Sequence, residues 1–303
     1  MLYSLIILLI YIIIILFSFL FIRHYIREIK FKNQKYLTKD TTILITGGCL
    51  GIGKELINLF ISLFNCKIIN LDIRSSEFSS LKSLHGDKIQ NINCDISKIE
   101  NIILFLEKKG INPDKINIII NNAAIANNLP IEQLTMNKMI STIEINLLSP
   151  MKIIKAFIDN NKKNNNSEKI HFVTLCSVMS HMISANSADY ISSKWGLFAF
   201  VECIRNEYLY NSNYIFTTIC PFAVNTGMFP NFLFFLNTKY VAKEILKSIV
   251  LKENIKFIPD FINLPIYLYK LIPSFLSDLI QHYIINYFSK NIGRRIDNDE
   301  LFK

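Results

Sequence analysis

No two cysteines of this chain form a Cys-x-x-Cys pair. The six thiols, at 49, 66, 94, 176, 203 and 220, fall mostly inside apolar runs, which reads as buried, reduced residues and excludes a dithiol motif or a zinc motif; no metal site is expected. The formal net charge is +9, yet the basic residues are scattered and lack the aromatic interleaving of a nucleic-acid module, so nucleic acid is excluded as a partner. The apolar run Leu2 to Ile22 has no charged residue before it, no basic n-region and no Ala-x-Ala-like cleavage site, which excludes a cleaved signal peptide.

That run is long enough to be a retained anchor, since about 21 residues at ~1.5 Å each make ~31 Å, the depth of a bilayer core. Arg23, Arg27, Lys30, Lys32, Lys35 and Lys39 follow it. The positive-inside rule then places the following domain on the cytosolic side, as for an endoplasmic reticulum membrane protein; the alternative is a segment lying in the monolayer of a lipid droplet. The 303 residues suit one large α/β domain with appendages. A hydrophobic fraction of 51% is high for a soluble protein, and much of the excess sits in the first 22 residues and after about Phe257, which suggests a membrane. The expected division is an anchor over 1–22, a basic juxtamembrane linker over 23–40, a catalytic domain over 41–256 and an apolar, membrane-associated extension over 257–303.

Thr42 to Thr46 reads as a buried strand that runs into Gly47-Gly48-Cys49-Leu50-Gly51-Ile52-Gly53 and then an amphipathic stretch, Lys54 to Phe64. Strand, glycine turn and helix form the context of a dinucleotide site, because glycines let the backbone approach a pyrophosphate whose charge meets the free N–H groups of a helix start. The next strand, Lys67 to Leu71, ends at Asp72. A carboxylate there accepts ribose hydroxyls of NAD and repels the 2′-phosphate of NADP, while Arg74 keeps NADP open as the alternative.

Tyr190 and Lys194 stand at i and i+4 and so share one helical face. A free phenol titrates near pH ~10, and a neighbouring ammonium favours its phenolate, so the pair reads as a proton handler and its tuner. Four further stretches surround them: Asn93-Cys94-Asp95, Asn121-Asn122-Ala123-Ala124 after the strand Ile116 to Ile120, Asn146 within the helical run Met136 to Leu148, and Ser177 just after the strand Ile170 to Leu175. The strand Phe216 to Cys220 then leads to Pro221-Phe222-Ala223-Val224-Asn225-Thr226-Gly227-Met228.

Taken together, these motifs resemble the short-chain dehydrogenase/reductase family, whose glycine turn is Thr-Gly-x-x-x-Gly-x-Gly and whose Ser-to-Tyr spacing Ser177 and Tyr190 reproduce. Ala124 and Phe222 stand where the family carries glycine. With the N-terminal apolar run, the chain looks most like the membrane-bound branch of retinol dehydrogenases and long-chain 17β-hydroxysteroid dehydrogenases. The resemblance implies a Rossmann-like, doubly wound α/β fold with about seven mostly parallel strands and an N-terminal transmembrane or membrane-anchoring helix. It implies cofactor contacts from Thr46, Gly47, Gly51, Ile52, Gly53, Asp72, Asp95 (to the adenine), Asn121, Asn122, Ala123, Val224 and Thr226, with Tyr190 and Lys194 reaching the nicotinamide ribose. Ser177 would hold the substrate oxygen, Tyr190 would move the proton, Lys194 would lower the Tyr pKa, and Asn146 would hold a water linking Lys194 to solvent.

On the substrate side, the resemblance places a lid after Thr226, with Phe229, Phe232, Phe234 and Phe235 suited to a lipid-like alcohol. The leading expectation is an NAD-dependent oxidoreductase acting on a lipophilic alcohol (retinoid, steroid or long-chain) or its carbonyl. An NADPH-dependent reductase of a keto-lipid and a catalytically silent membrane or lipid-droplet scaffold are the alternatives. A homodimer through the helices near Asn146 and Tyr190 is the family's usual pairing.

Overall fold

The computed structural model describes residues 11, 18, 22–34, 36–164, 168–228, 235–273 and 275–279. Seven strands form one parallel sheet: β1 (Thr42–Thr46), β2 (Lys67–Asp72), β3 (Ile89–Asn93), β4 (Ile118–Asn121), β5 (Ile170–Leu175), β6 (Tyr214–Pro221) and β7 (Ile255–Ile258). Their order is β3-β2-β1-β4-β5-β6-β7. The direction of winding reverses between β1 and β4, and that reversal opens a crevice beyond the carboxyl ends of the strands. The sheet is a Rossmann-like α/β sheet, as the sequence leads one to expect.

Parallel strands buried on both faces need apolar side chains at successive positions, and the isoleucine runs supply them. Leu44, Ile119, Phe172 and Phe216 face one way, against helices α4 (Ile102–Lys108), α6 (Ser149–Lys163) and α7 (Ala188–Glu207). Ile43, Ile45, Val173 and Ile219 face the other, against α2 (Gly51–Phe64) and α8 (Thr238–Leu251). Several boundaries differ from expectation, β6 among them, which runs over Tyr214–Pro221 rather than Phe216 to Cys220. Helix α2 begins at Gly51 rather than Lys54, β4 begins at Ile118 because a 3-10 turn over Pro113–Lys115 draws in the N–H of Ile116, and β7 crosses the boundary expected at 256.

The stretch expected as a basic linker is helical over 22–33 (α1) and docked on α8. Arg27 is 5% exposed and grips Glu253 through Nε at 2.8 Å and Nη2 at 3.0 Å, while also bonding Glu244 and the Ser248 hydroxyl. Lys247 pairs with Glu28 and Glu244. Burial opposes the Arg27 charge, yet the Glu253 and Glu244 carboxylates outweigh it and raise its pKa. Burial likewise pushes Glu253 up, and Arg27 more than reverses the shift. Further along, Leu37 is buried and the Tyr36 hydroxyl meets His171 Nδ1 at 3.2 Å. The segment is therefore part of the domain's packing. Arg27→Met leaves the half-buried Glu253 without its cation, while the buried Glu244 keeps Lys247, at a cost of about 3 kcal/mol. Melting should fall by roughly 10 °C, and an unchanged melting curve would refute the docking.

Among the described residues, no helix is long and apolar enough to cross a membrane. The expected anchor over 1–22 lies almost wholly outside the described residues, as do Phe229, Phe232 and Phe234 of the expected lid and the chain beyond 279. The part of the C-terminal extension that is described forms α9 (Asn263–Leu271) and a short helical stretch over 275–279.

Candidate active site

The glycine turn is built by polar residues on the strands beside it. Gly47 has φ +69° and Gly51 φ +55°, conformations that favour glycine. A Cβ at Gly53 would come within 2.3 Å of the Gly47 carbonyl, so the start of α2 packs against the turn only without a side chain. Asn70 accepts the Gly48 N–H at 3.0 Å, and Asp72 Oδ2 accepts that of Cys49 at 2.9 Å. Just after β4, Asn122 donates Nδ2 to the carbonyls of Thr46 and Gly47 at 3.0 and 2.7 Å, and Thr46 Oγ1 accepts the N–H groups of Asn122 and Ala123.

This turn fits a dinucleotide. The first turn of α2 carries neither a side-chain cap nor an acidic residue, so its N–H groups face the crevice free to meet an anion. The crevice is a cavity of about 530 Å³. Of the expected cofactor residues, Gly47, Gly51, Ile52, Asp72 and Asp95 line it, as do Asn122, Ala123, Val224 and Thr226. Thr46, Gly53 and Asn121 do not; they support its wall from behind. Asn121 is 3% exposed, and its amide finds no hydrogen-bond partner among the described residues. Ala124 and Phe222 adopt no positive φ, so their side chains are accommodated without backbone strain.

Ser177 begins a 3-10 turn after β5, its hydroxyl accepting the Met179 N–H at 3.2 Å. Tyr190 and Lys194 project from the first turns of α7, and the Ser177 side chain lies beside the Tyr190 phenol, where it acts to lower the phenol's pKa. Lys194 Nζ donates to the Leu175 carbonyl at 2.8 Å and lies 5.8 Å from the centre of the Tyr190 ring. Ser177, Tyr190 and Lys194 all line the cavity. Burial pushes the phenol up to about 12, against the opposing influence of Ser177, and lowers the Lys194 pKa. In this geometry burial dominates the phenol, and the ammonium expected to tune it is fastened to a backbone carbonyl.

Asn146 sits behind the wall, fully buried, in a π-turn over Glu144–Leu148 that joins α5 (Met136–Ile143) to α6. Its side chain bonds the N–H and carbonyl of Ile125, both at 2.8 Å, and donates to Ser193 Oγ at 3.1 Å. Ser193 donates in turn to the Tyr190 carbonyl at 2.7 Å. The side chain expected to hold a water is thus committed to protein partners and ties the 122–130 loop to α7.

The sequence reading missed Asn70, although a polar residue inside the apolar run Lys67 to Leu71 was a signal of its own. It also missed Asn127, Thr142 and Asp189, which meet in one hydrogen-bonded cluster. The substrate side of the cavity is apolar, lined by Ile125, Ala126, Val178, Met179, Phe222 and Met228. Of the four expected lid phenylalanines Phe235 is the one described, and Leu236 beside it pairs with Val224.

Comparison with known proteins agrees with this geometry. Residues 41–233 match the family model described as short chain dehydrogenase. An uncharacterized oxidoreductase of Saccharomyces cerevisiae is 31% identical over 65% of this chain, and the match spans 64% of that protein. Epidermal retinol dehydrogenase 2 of Mus musculus is 25% identical over 80% of this chain and 81% of its own length. A 4-hydroxyisoleucine dehydrogenase complexed with NADH shares the fold at TM-score 0.60 and 20% identity, over 69% of this chain and 90% of that one. The chain belongs to the short-chain dehydrogenase family, and is an oxidoreductase of alcohols and carbonyls that works with a nicotinamide cofactor.

Proposed function

We propose that this protein is an NAD-dependent oxidoreductase that interconverts a lipophilic alcohol and its carbonyl. The observation that carries the reading is the Tyr190 phenol, set with Ser177 and Lys194 where a glycine-turn crevice meets an apolar wall. The nicotinamide ring, when bound, accepts or returns the hydride. Ser177 holds the substrate oxygen, and Tyr190 takes its proton in oxidation or gives one in reduction. Lys194 orients the cofactor's ribose and offsets negative charge on the phenolate. Asn146 holds the 122–130 loop and α7 in register, and Asp72 takes the adenosine ribose hydroxyls.

The proposed substrates are retinoids, steroids or long-chain alcohols. Their entry from a membrane or lipid-droplet surface is supported by the apolar side chains that α9 leaves exposed, among them Leu264, Tyr267, Leu268 and Leu271. Segment 1–22 is proposed as the anchor of an endoplasmic reticulum protein whose domain, over 41–256, faces the cytosol. A homodimer through α5, α6 and α7 belongs to the same proposal. Arg74, which lines the cavity beside Asp72, favours a second reading as an NADPH-dependent keto-lipid reductase.

The test is turnover in detergent or native membranes, read at the reduced-nicotinamide absorbance band, with NAD and all-trans-retinol, 17β-estradiol or hexadecanol. Oxidation of one of them with NAD is expected. Turnover confined to NADPH and a keto-lipid promotes the second reading, and no turnover by a protein that still binds NAD leaves a scaffold.

A further inference from the structure

Asp189, immediately before the proton-handling tyrosine, is 3% exposed, and it has no ion-pair partner among the described residues. Its Oδ2 accepts from Asn127 Nδ2 at 2.6 Å and from the Thr142 hydroxyl at 2.8 Å. Its Oδ1 is buried with no hydrogen-bond partner among the described residues. Two donors therefore converge on one oxygen, an arrangement suited to an acceptor-only group. The carboxylate lies in the first turn of α7, where Ser187 makes no side-chain cap and the helix dipole favours negative charge.

The donors belong to the substrate side. Asn127 lies in the 122–130 loop, whose Ile125 and Ala126 line the cavity. Its neighbour Asn128, at φ +53°, donates Nδ2 to the Met228 carbonyl at 2.9 Å, across to the loop that follows β6. Thr142 comes from α5. The carboxylate thus joins α5 and the cavity wall to the turn of α7 that carries Tyr190.

We propose that Asp189 is a positioning residue, which fixes the Ile125–Asn128 wall against the Tyr190 turn and so sets how tightly the substrate is held over the phenol. The proposal rests on the reading of Tyr190 as the proton handler. Charge-assisted bonds to the carboxylate are stronger than neutral ones, and asparagine at 189 would also bury an unpaired N–H group. Asp189→Asn therefore loosens the wall while keeping its shape. The swap Asn127→Asp with Asp189→Asn rebuilds a carboxylate–amide pair with the roles exchanged.

Two readouts test this, with NAD affinity as the check on folding. Hydrogen exchange of backbone amides in 122–130 should quicken about tenfold in Asp189→Asn, and the KM for all-trans-retinol or hexadecanol should rise by a similar factor, with kcat within about threefold. The swap should restore both. Unchanged exchange in Asp189→Asn, or a swap that binds NAD yet restores neither readout, overturns the proposal. If Asp189→Asn does not fold, Thr142→Val removes one donor to the carboxylate together with an acceptor for Asn127, and its exchange in 122–130 must quicken severalfold or the proposal fails. If the wild-type protein oxidises neither alcohol, the functional reading above has failed, and exchange alone decides this one.

Discussion

Replacing Tyr190 by Phe should lower kcat by roughly 10³-fold, within the range that a positioned general acid or base contributes. The ring is 5% exposed and packs in the wall, so its removal is not at issue; only the hydroxyl goes. Ser177 keeps its bond from the Met179 N–H, and the glycine turn and Asp72 are untouched. NAD affinity and the melting temperature should therefore stay as in the wild type. The pH dependence follows from the same geometry. Burial pushes the phenol up to about 12, so it is protonated at neutral pH and ready to donate in reduction. Oxidation needs the phenolate, so its rate should climb with pH while reduction falls at the alkaline end. Ser177→Ala removes the side chain that opposes the burial shift, which should move both limbs to higher pH. A Tyr190→Phe enzyme that kept more than a few per cent of kcat, or whose oxidation rate kept the wild-type pH limb, would remove Tyr190 from the mechanism.

The sheet was legible because its strands are buried on both faces and read as apolar runs between turn residues, and the glycine turn because few other residues permit its backbone. Ser177, Tyr190 and Lys194 were found because a motif marks them. What escaped the sequence is what depends on contacts between segments distant in the chain. Arg27 reads as one of several basic residues after an apolar run, and nothing local announces Glu244 and Glu253 as its partners. Asn146 has a recognisable place, but the π-turn that aims its amide at Ile125 has no sequence pattern of its own. Asn121 and Asn122 look equivalent on paper. Strand alternation sends one side chain into the packing and leaves the other beneath the glycine turn.

The second large effect concerns the cofactor, and it turns on a carboxylate that already has work in the protein. Asp72 is 7% exposed, with Oδ2 on the Cys49 N–H at 2.9 Å and Oδ1 on the Arg74 N–H at 2.9 Å. An ionised carboxylate offers about four lone-pair sites, so two remain for ribose hydroxyls. A 2′-phosphate in the same place would set like charges against each other at a cost of several kcal/mol, which is about 10²-fold or more in preference. Asp72→Asn keeps the shape and the acceptor for Cys49 but removes the charge. The ratio of kcat/KM with NAD to that with NADP should fall by about 10²-fold, with most of the change from NADP improving. Arg74→Ala separates the two readings, because its guanidinium stands at the same end of the crevice. If the wild-type enzyme prefers NAD, Arg74→Ala should leave that preference in place. A wild-type preference for NADP that Arg74→Ala abolishes and Asp72→Asn leaves unmoved would assign the carboxylate to holding the glycine turn and the choice of cofactor to the arginine.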